Sequence, residues 1–184
     1  MKLAQSLERL GTESAFSVLA EAKKLEAQGK EMIHLGLGQP DFMTPKHIMD
    51  AAKKAIDDGH HGYVLANGIV ECRQAVSRKI KSLYKKEVSP DRIMIMPGGK
   101  PTMYFAIQMI GEPGAEIVHP TPGFPIYESM INYTGAKAVP YDLTKEKDLK
   151  FDPEKILSLI TDKTRLVILI NPNNPTGSFV EKPA

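Results

Sequence analysis

The segment RLVILI, residues 165–170, limits the fold more than any other part of this chain. Apolar residues fill every position from Leu166 to Ile170. A strand with one wet face alternates apolar and polar residues, so an unbroken run points to a strand covered on both faces. Sheets of that kind are mostly parallel, and helices join their strands. The rest of the sequence supplies such an alternation. MIHLGLG (32–38), RIMIM (92–96), EIVH (116–119) and AKAVP (136–140) read as further strands. A first helix is expected over about 13–28, with Ala15, Val18, Leu19, Ala22 and Leu25 on one face. A second follows Pro45 as far as Gly59, with Ile48, Ala51, Ala52 and Ala55 as its apolar stripe. Others are expected near 69–84, 101–110, 125–132 and 152–160, the last with Asp152 at the N-cap and Pro153 at the first helical position. The expected fold class is α/β with a largely parallel sheet.

Composition narrows the function classes. The chain has 184 residues, 42% hydrophobic and 25% charged, as in ordinary globular proteins. Its 24 basic and 22 acidic residues leave a net charge of +2, too balanced to point to nucleic acid or an anionic membrane. Cys72 is the single cysteine, which excludes an internal disulfide and fits a reducing compartment. The opening MKLAQSLERL lacks the apolar core of a signal peptide. No apolar run approaches the ~20 residues that span a bilayer. A cytoplasmic location is therefore expected, and no metal-ligand set is assigned.

In open α/β sheets, ligands bind beyond the carboxyl ends of the strands. Three loops would open there: PGGK after RIMIM, PTPGF after EIVH, and NPNNPTG (171–177) after RLVILI. Gly98 and Gly99 allow a sharp turn into a helix, with Pro101 at its first position. The amides of Gly99, Lys100 and Thr102 would then face the positive helix end, where a phosphate is the obvious occupant; a plain tight turn is the alternative. Phe124 could stack on a planar ligand or tuck under its loop as core. In NPNNPTG the prolines fix φ and Gly177 allows a positive one. That rigidity would hold an Asn amide at a fixed point on the ligand edge. Gly38, in LGLGQPDF (35–42), could offer an amide to a carboxylate, and Tyr63 a phenol to a phosphate, although each residue type is more often structural.

In order, LGLGQPDFMTP, YVLANGIVECR, MPGGK, PGFPIY and NPNNPTG resemble the motifs of the class I and II aminotransferases that use pyridoxal 5′-phosphate, and the likeness runs from about Glu13 to Gly177. The resemblance implies the three-layer α/β/α architecture of fold type I, with a mostly parallel sheet. It assigns residues 1–45 to an N-terminal arm and part of a small domain, and 46–184 to the first part of a large cofactor-binding domain. It implies cofactor contacts at Gly99 and Lys100 (phosphate), Phe124 (ring stacking), Asn174 (the ring oxygen O3′) and Tyr63 (the phosphate in a neighbouring subunit, hence a homodimer). Gly38, Phe124 and Asn174 are implied to meet the substrate. An amino acid donor and a 2-keto acid acceptor follow from the same likeness. Lys100 stands where some branches carry a hydroxyl residue, Pro101 where many carry Gln, and Cys72 where Leu is usual.

The family's Schiff-base lysine lies tens of residues beyond the Asn-rich loop, together with the Asp, Tyr and Arg that complete the site. The sequence ends at Ala184, before those positions, so no catalytic residue is assigned in this chain and the lysine is expected downstream. Lys100, at the phosphate end, is not expected to replace it. Transamination is thus expected of the family, and the isolated chain is expected to be inactive and to self-associate through an uncovered sheet edge. A C–S lyase or synthase of the same superfamily, and a non-catalytic module or split-enzyme subunit, are the other readings.

Overall fold

The computed structural model describes residues 2–11 and 14–181. Its helices are α1 (Ser14–Ala27), α2 (Lys46–Asp57), α3 (Val70–Tyr84), α4 (Gly99–Ile110), α5 (Ile126–Thr134) and α6 (Pro153–Ser158). The strands are β1 (Glu116–Thr121), β2 (Lys137–Asp142) and β3 (Thr164–Val167). Glu13, the expected start of the first helix, lies outside the described residues. Two compact units divide the chain: one holds the residues up to Ala20 and from Gly98 onward, the other Glu21–Pro97.

The first unit is built on a three-stranded, all-parallel sheet in the order β2-β1-β3. Neighbouring residues of β1 point to opposite faces, and the packing follows that alternation. Ile117 joins Ile107 of α4 with Met130 and Ile131 of α5. Val118 joins Tyr141 of β2, Leu143 and Ile156 of α6. Helices therefore cover both faces, as a parallel sheet requires. At the amino end of the sheet, Glu116 is buried opposite Lys137, whose ammonium lies 2.8 Å from one carboxylate oxygen. The Thr161 hydroxyl donates to the other at 2.7 Å. The Lys137 hydrogen bond, more than any other contact, holds this carboxyl below its usual range. Asp152 caps α6 through the Glu154 amide at 2.9 Å, with Pro153 opening the helix as expected. Arg9, on a short 3-10 helix (Gln5–Arg9), donates to the Asn132 and Tyr133 carbonyls at the end of α5, both at 2.9 Å. It adds a charged donor at the carboxyl end of the helix, where the Asn132 carbonyl also accepts the Gly135 amide at 3.1 Å.

Two expected strands do not form. MIHLGLG and RIMIM find no ladder partner among the described residues, and β2 and β3 already occupy both edges of β1. A strand exists only through such pairing. Ile95 instead donates one amide bond, to the Asn67 carbonyl at 3.1 Å. RLVILI is regular only through Val167, and β3 is half-buried rather than covered, with Leu169 exposed.

The second unit has no sheet. Of the α1 residues in this unit, Ala22 and Leu25 are half-buried; of those in the first unit, Leu19 is half-buried and Val18 exposed. The expected stripe of α2 is mostly in the open: Ile48 is exposed and only Ala55 of the four is half-buried. Arg73 of α3 is 4% exposed and anchors the segment that follows the helix. Its guanidinium donates to the carbonyls of Gly68 (3.2 Å) and Pro90 (2.9 Å) and to the Asp91 carboxylate (3.3 Å). Gly68 has a φ of +93°, and an added Cβ would lie 2.7 Å from Ile95 Cγ1.

Candidate functional site

The loops that follow β1 and β3 leave the sheet on the same edge, because the two strands are parallel neighbours. The Asn173 side-chain amide reaches the Pro122 carbonyl at 3.4 Å and ties the two loops together. The amino end of α4 belongs to the same group. Lys100, in its first turn, has its ammonium 5.5 Å from the centroid of the Phe124 ring, within cation–π range. Lys100, Phe124 and the NPNNPTG loop therefore converge as expected, although RIMIM does not bring α4 there as a strand of the sheet.

Gly98 is the N-cap of α4, with a φ of +98° that an L side chain rarely adopts. It has no side chain with which to cap the helix, so the amides of the first turn face outward at the positive end of the dipole. Gly99 and Lys100 are both exposed there. Pro101 stands third in the helix, not first as the sequence suggested; the amide it lacks belongs to those that a helix start leaves unpaired anyway. Phe124 is half-buried and meets Tyr127 edge-on at 6.3 Å between centroids.

The three asparagines of the last loop have different duties. Asn171 pairs with Val180 as a strand would, its side chain donating at 3.1 Å and accepting at 3.0 Å. Asn173 is buried; its backbone bonds Ser178 and Gly177, each at 2.8 Å, and its side chain donates to the Thr176 hydroxyl at 2.9 Å. Asn174 is exposed at the tip. Two asparagines thus hold the loop and leave the third open to solvent. Composition and spacing do not separate the three, and only the motif resemblance singles out Asn174; their duties in space depend on how the loop folds back on itself.

Gly38 and Tyr63 belong to the unit Glu21–Pro97, and both are exposed. A Cβ on Gly38 would meet nothing within 4 Å. His119, which the sequence reading passed over, is buried in β1 on the face of Ile117, and its Nε2 has no hydrogen-bond partner among the described residues. Burial pushes its pKa down, against smaller opposing effects from the Pro120 carbonyl and Glu128.

An exposed helix start with an adjoining ammonium, an aromatic face and a fixed amide suit a phosphorylated, planar, polar-edged ligand. Comparisons with known proteins give the family. The family description "aminotransferase class I and II" matches residues 30–184. Aspartate aminotransferase of Bacillus subtilis (strain 168) is 34% identical over 177 residues, which are 96% of this chain and 45% of that protein. The (5-formylfuran-3-yl)methyl phosphate transaminase of Methanocaldococcus jannaschii is 36% identical over 165 residues, 90% of this chain and 42% of its own length. The solved structure of aspartate aminotransferase from Thermus thermophilus with maleate overlays with a TM-score of 0.92 at 30% identity, over 99% of this chain and 48% of that one. This chain spans about half the length of the relatives it matches. The overlay bears out the expected fold type I architecture, of which the sheet and its helices here form a part. The chain belongs to the aminotransferase class I and II family.

Proposed function

We propose that this chain carries the phosphate-, ring- and edge-binding half of a pyridoxal 5′-phosphate site, within an aminotransferase that moves an amino group from an amino acid to a 2-keto acid. The observation that carries the reading is the convergence of Lys100, Phe124 and the Asn174 loop at the open start of α4. Gly99 and Lys100 would hold the phosphate through first-turn amides and the ammonium charge. Phe124 would lie against the ring. Asn174, carried on a loop that its neighbours make rigid, would donate to the ring oxygen and orient the plane. Gly38 and Asn174 would meet the substrate carboxylate, and Tyr63 the phosphate bound by a second copy in a homodimer. Bound there, the cofactor supplies an electron-withdrawing ring that makes amino exchange between the two substrates feasible. The names of the relatives above give different substrates, aspartate for two and a formylfuran phosphate for the third, so the substrates are proposed only as classes. Residues 1–45 are assigned to an arm and part of a small domain and 46–184 to a large domain, in a cytoplasmic protein.

The test uses pyridoxine 5′-phosphate, the alcohol analogue, which cannot condense with surface lysines. Equilibrium titration should show saturable binding by the chain. Phe124→Ala should weaken it by about tenfold, the worth of a stacked aromatic contact. Asn174→Ala should weaken it without shifting the unfolding midpoint. No saturable binding, or binding indifferent to both substitutions, overturns the proposal.

A further inference from the structure

β1 is the central strand of the sheet, yet it contains Pro120, buried and in register with Tyr141 of β2. A proline cannot donate to a ladder and is ordinarily confined to sheet edges. The register on the other side identifies the acceptor that this leaves without its donor. Val118 is opposite Val167, and the Ile168 amide donates to the Val118 carbonyl at 2.8 Å. In a parallel ladder the next bond runs back from residue 120 to the carbonyl of residue 168. Residue 120 has no N–H to give. The Ile168 carbonyl is bonded all the same: the Tyr141 hydroxyl donates to it at 3.0 Å.

Tyr141 is 7% exposed and packs with Val118, Leu143 and Ile156. Its ring crosses the face of β1 to reach β3. Burial pushes its pKa up to about 12, so the hydroxyl keeps its proton at any physiological pH. Ile168 stands three residues before Asn171, where the loop bearing Asn174 begins. Tyr141 also borders the small pocket formed by Leu149, Phe151, Asn171, Asn173 and Ser178.

We propose that Tyr141 is a positioning residue: its hydroxyl supplies the Ile168 carbonyl with the hydrogen bond that Pro120 cannot make, and so fixes the root of the 171–177 loop. The consequence for the ligand rests on the proposed function, because that loop presents Asn174. The structural part does not depend on it, and the experiment keeps the two apart.

Tyr141→Phe removes only the hydroxyl. Amide hydrogen exchange should accelerate about fivefold at Ile168, Asn173 and Gly177, the value of one hydrogen bond, while the amides between β1 and β2 keep their protection. Adding Pro120→Ala restores an N–H opposite the orphaned carbonyl and should return most of the lost protection. With ligand, Tyr141→Phe should weaken pyridoxine 5′-phosphate by a similar factor and leave 3-deoxypyridoxine 5′-phosphate, which offers Asn174 no ring oxygen, unchanged. Unchanged exchange in the loop, a uniform rise across the sheet, or no recovery with Pro120→Ala overturns the role of Tyr141. If the exchange results hold but the unsubstituted chain binds neither phosphate, the cofactor reading fails and the positioning of the loop stands.

Discussion

Gly68→Ala tests the packing that orders the second unit. The backbone there has a φ of +93°, and the new Cβ would lie 2.7 Å from Ile95 Cγ1 and 2.8 Å from Ile95 Cβ. These atoms sit at the base of a branched side chain, not at a flexible tip, so the contact cannot be relieved by a rotamer change alone. Holding an L residue at that φ costs about 1–3 kcal/mol. Forcing extra volume against the Ile95 stem costs about 1–3 kcal/mol more. The stiffer unfolded chain returns about 0.4–1 kcal/mol. A net loss of about 3 kcal/mol is expected, seen as a lower urea midpoint by far-UV circular dichroism. Exchange of the Ile95 amide, which donates to the Asn67 carbonyl at 3.1 Å, should accelerate with it. Ile95→Gly removes both clashing atoms and leaves the φ strain in place. The double-mutant cycle should therefore return a favourable coupling of about 2 kcal/mol. A loss below about 1 kcal/mol for Gly68→Ala, or a cycle additive to within ~0.5 kcal/mol, would refute the reasoning.

Arg73→Ala should destabilise the same unit by about 3 kcal/mol, because it leaves the Gly68 and Pro90 carbonyls without a buried charged donor. Asp91→Ala, on the exposed partner of the pair, should cost no more than about 1 kcal/mol; equal losses in urea titration would contradict this division. For His119, burial lowers the folded pKa, so below about pH 6.5 the unfolded chain takes up a proton that the folded chain refuses. Stability is therefore fully present above that pH and is lost as pH falls from there towards the folded pKa. Melting temperature should drop between pH 7 and 5.5, and the slope should flatten in His119→Gln. A slope that survives the substitution would place the titration elsewhere.

Much of the architecture was legible in the sequence because it rests on local rules. The Asp152-Pro153 start of α6, the glycine that precedes α4 and the strands β1 and β2 depend on neighbours a few residues away. That the loops after β1 and β3 leave the sheet together was also readable, since parallel strands joined by helices open their loops on one edge; the amino end of α4 lies beside Phe124 without a strand to bring it there. RIMIM failed on the same logic in reverse. Its residues favour a strand, but a strand needs a partner along its whole edge, and among the described residues its amides find only the adjoining turn and the Asn67 carbonyl. The half-burial of β3, against the full cover its apolar run implies, likewise depends on what packs against it.

The finer assignments belonged to tertiary structure alone. Asn171, Asn173 and Asn174 are one residue type within four positions, and only the folded loop ties the side chains of the first two back to Val180 and Thr176. The sequence suggested a strand that ends at His119 with Pro120 opening the loop, whereas the folded sheet keeps Pro120 within its central strand. The tyrosine that compensates for it lies 21 positions later, on another strand. Composition and periodicity specify which segments fold and which faces they bury, because those are averages over short windows. Which carbonyl lacks its donor, and which hydroxyl supplies one, is decided only when the three strands are in register.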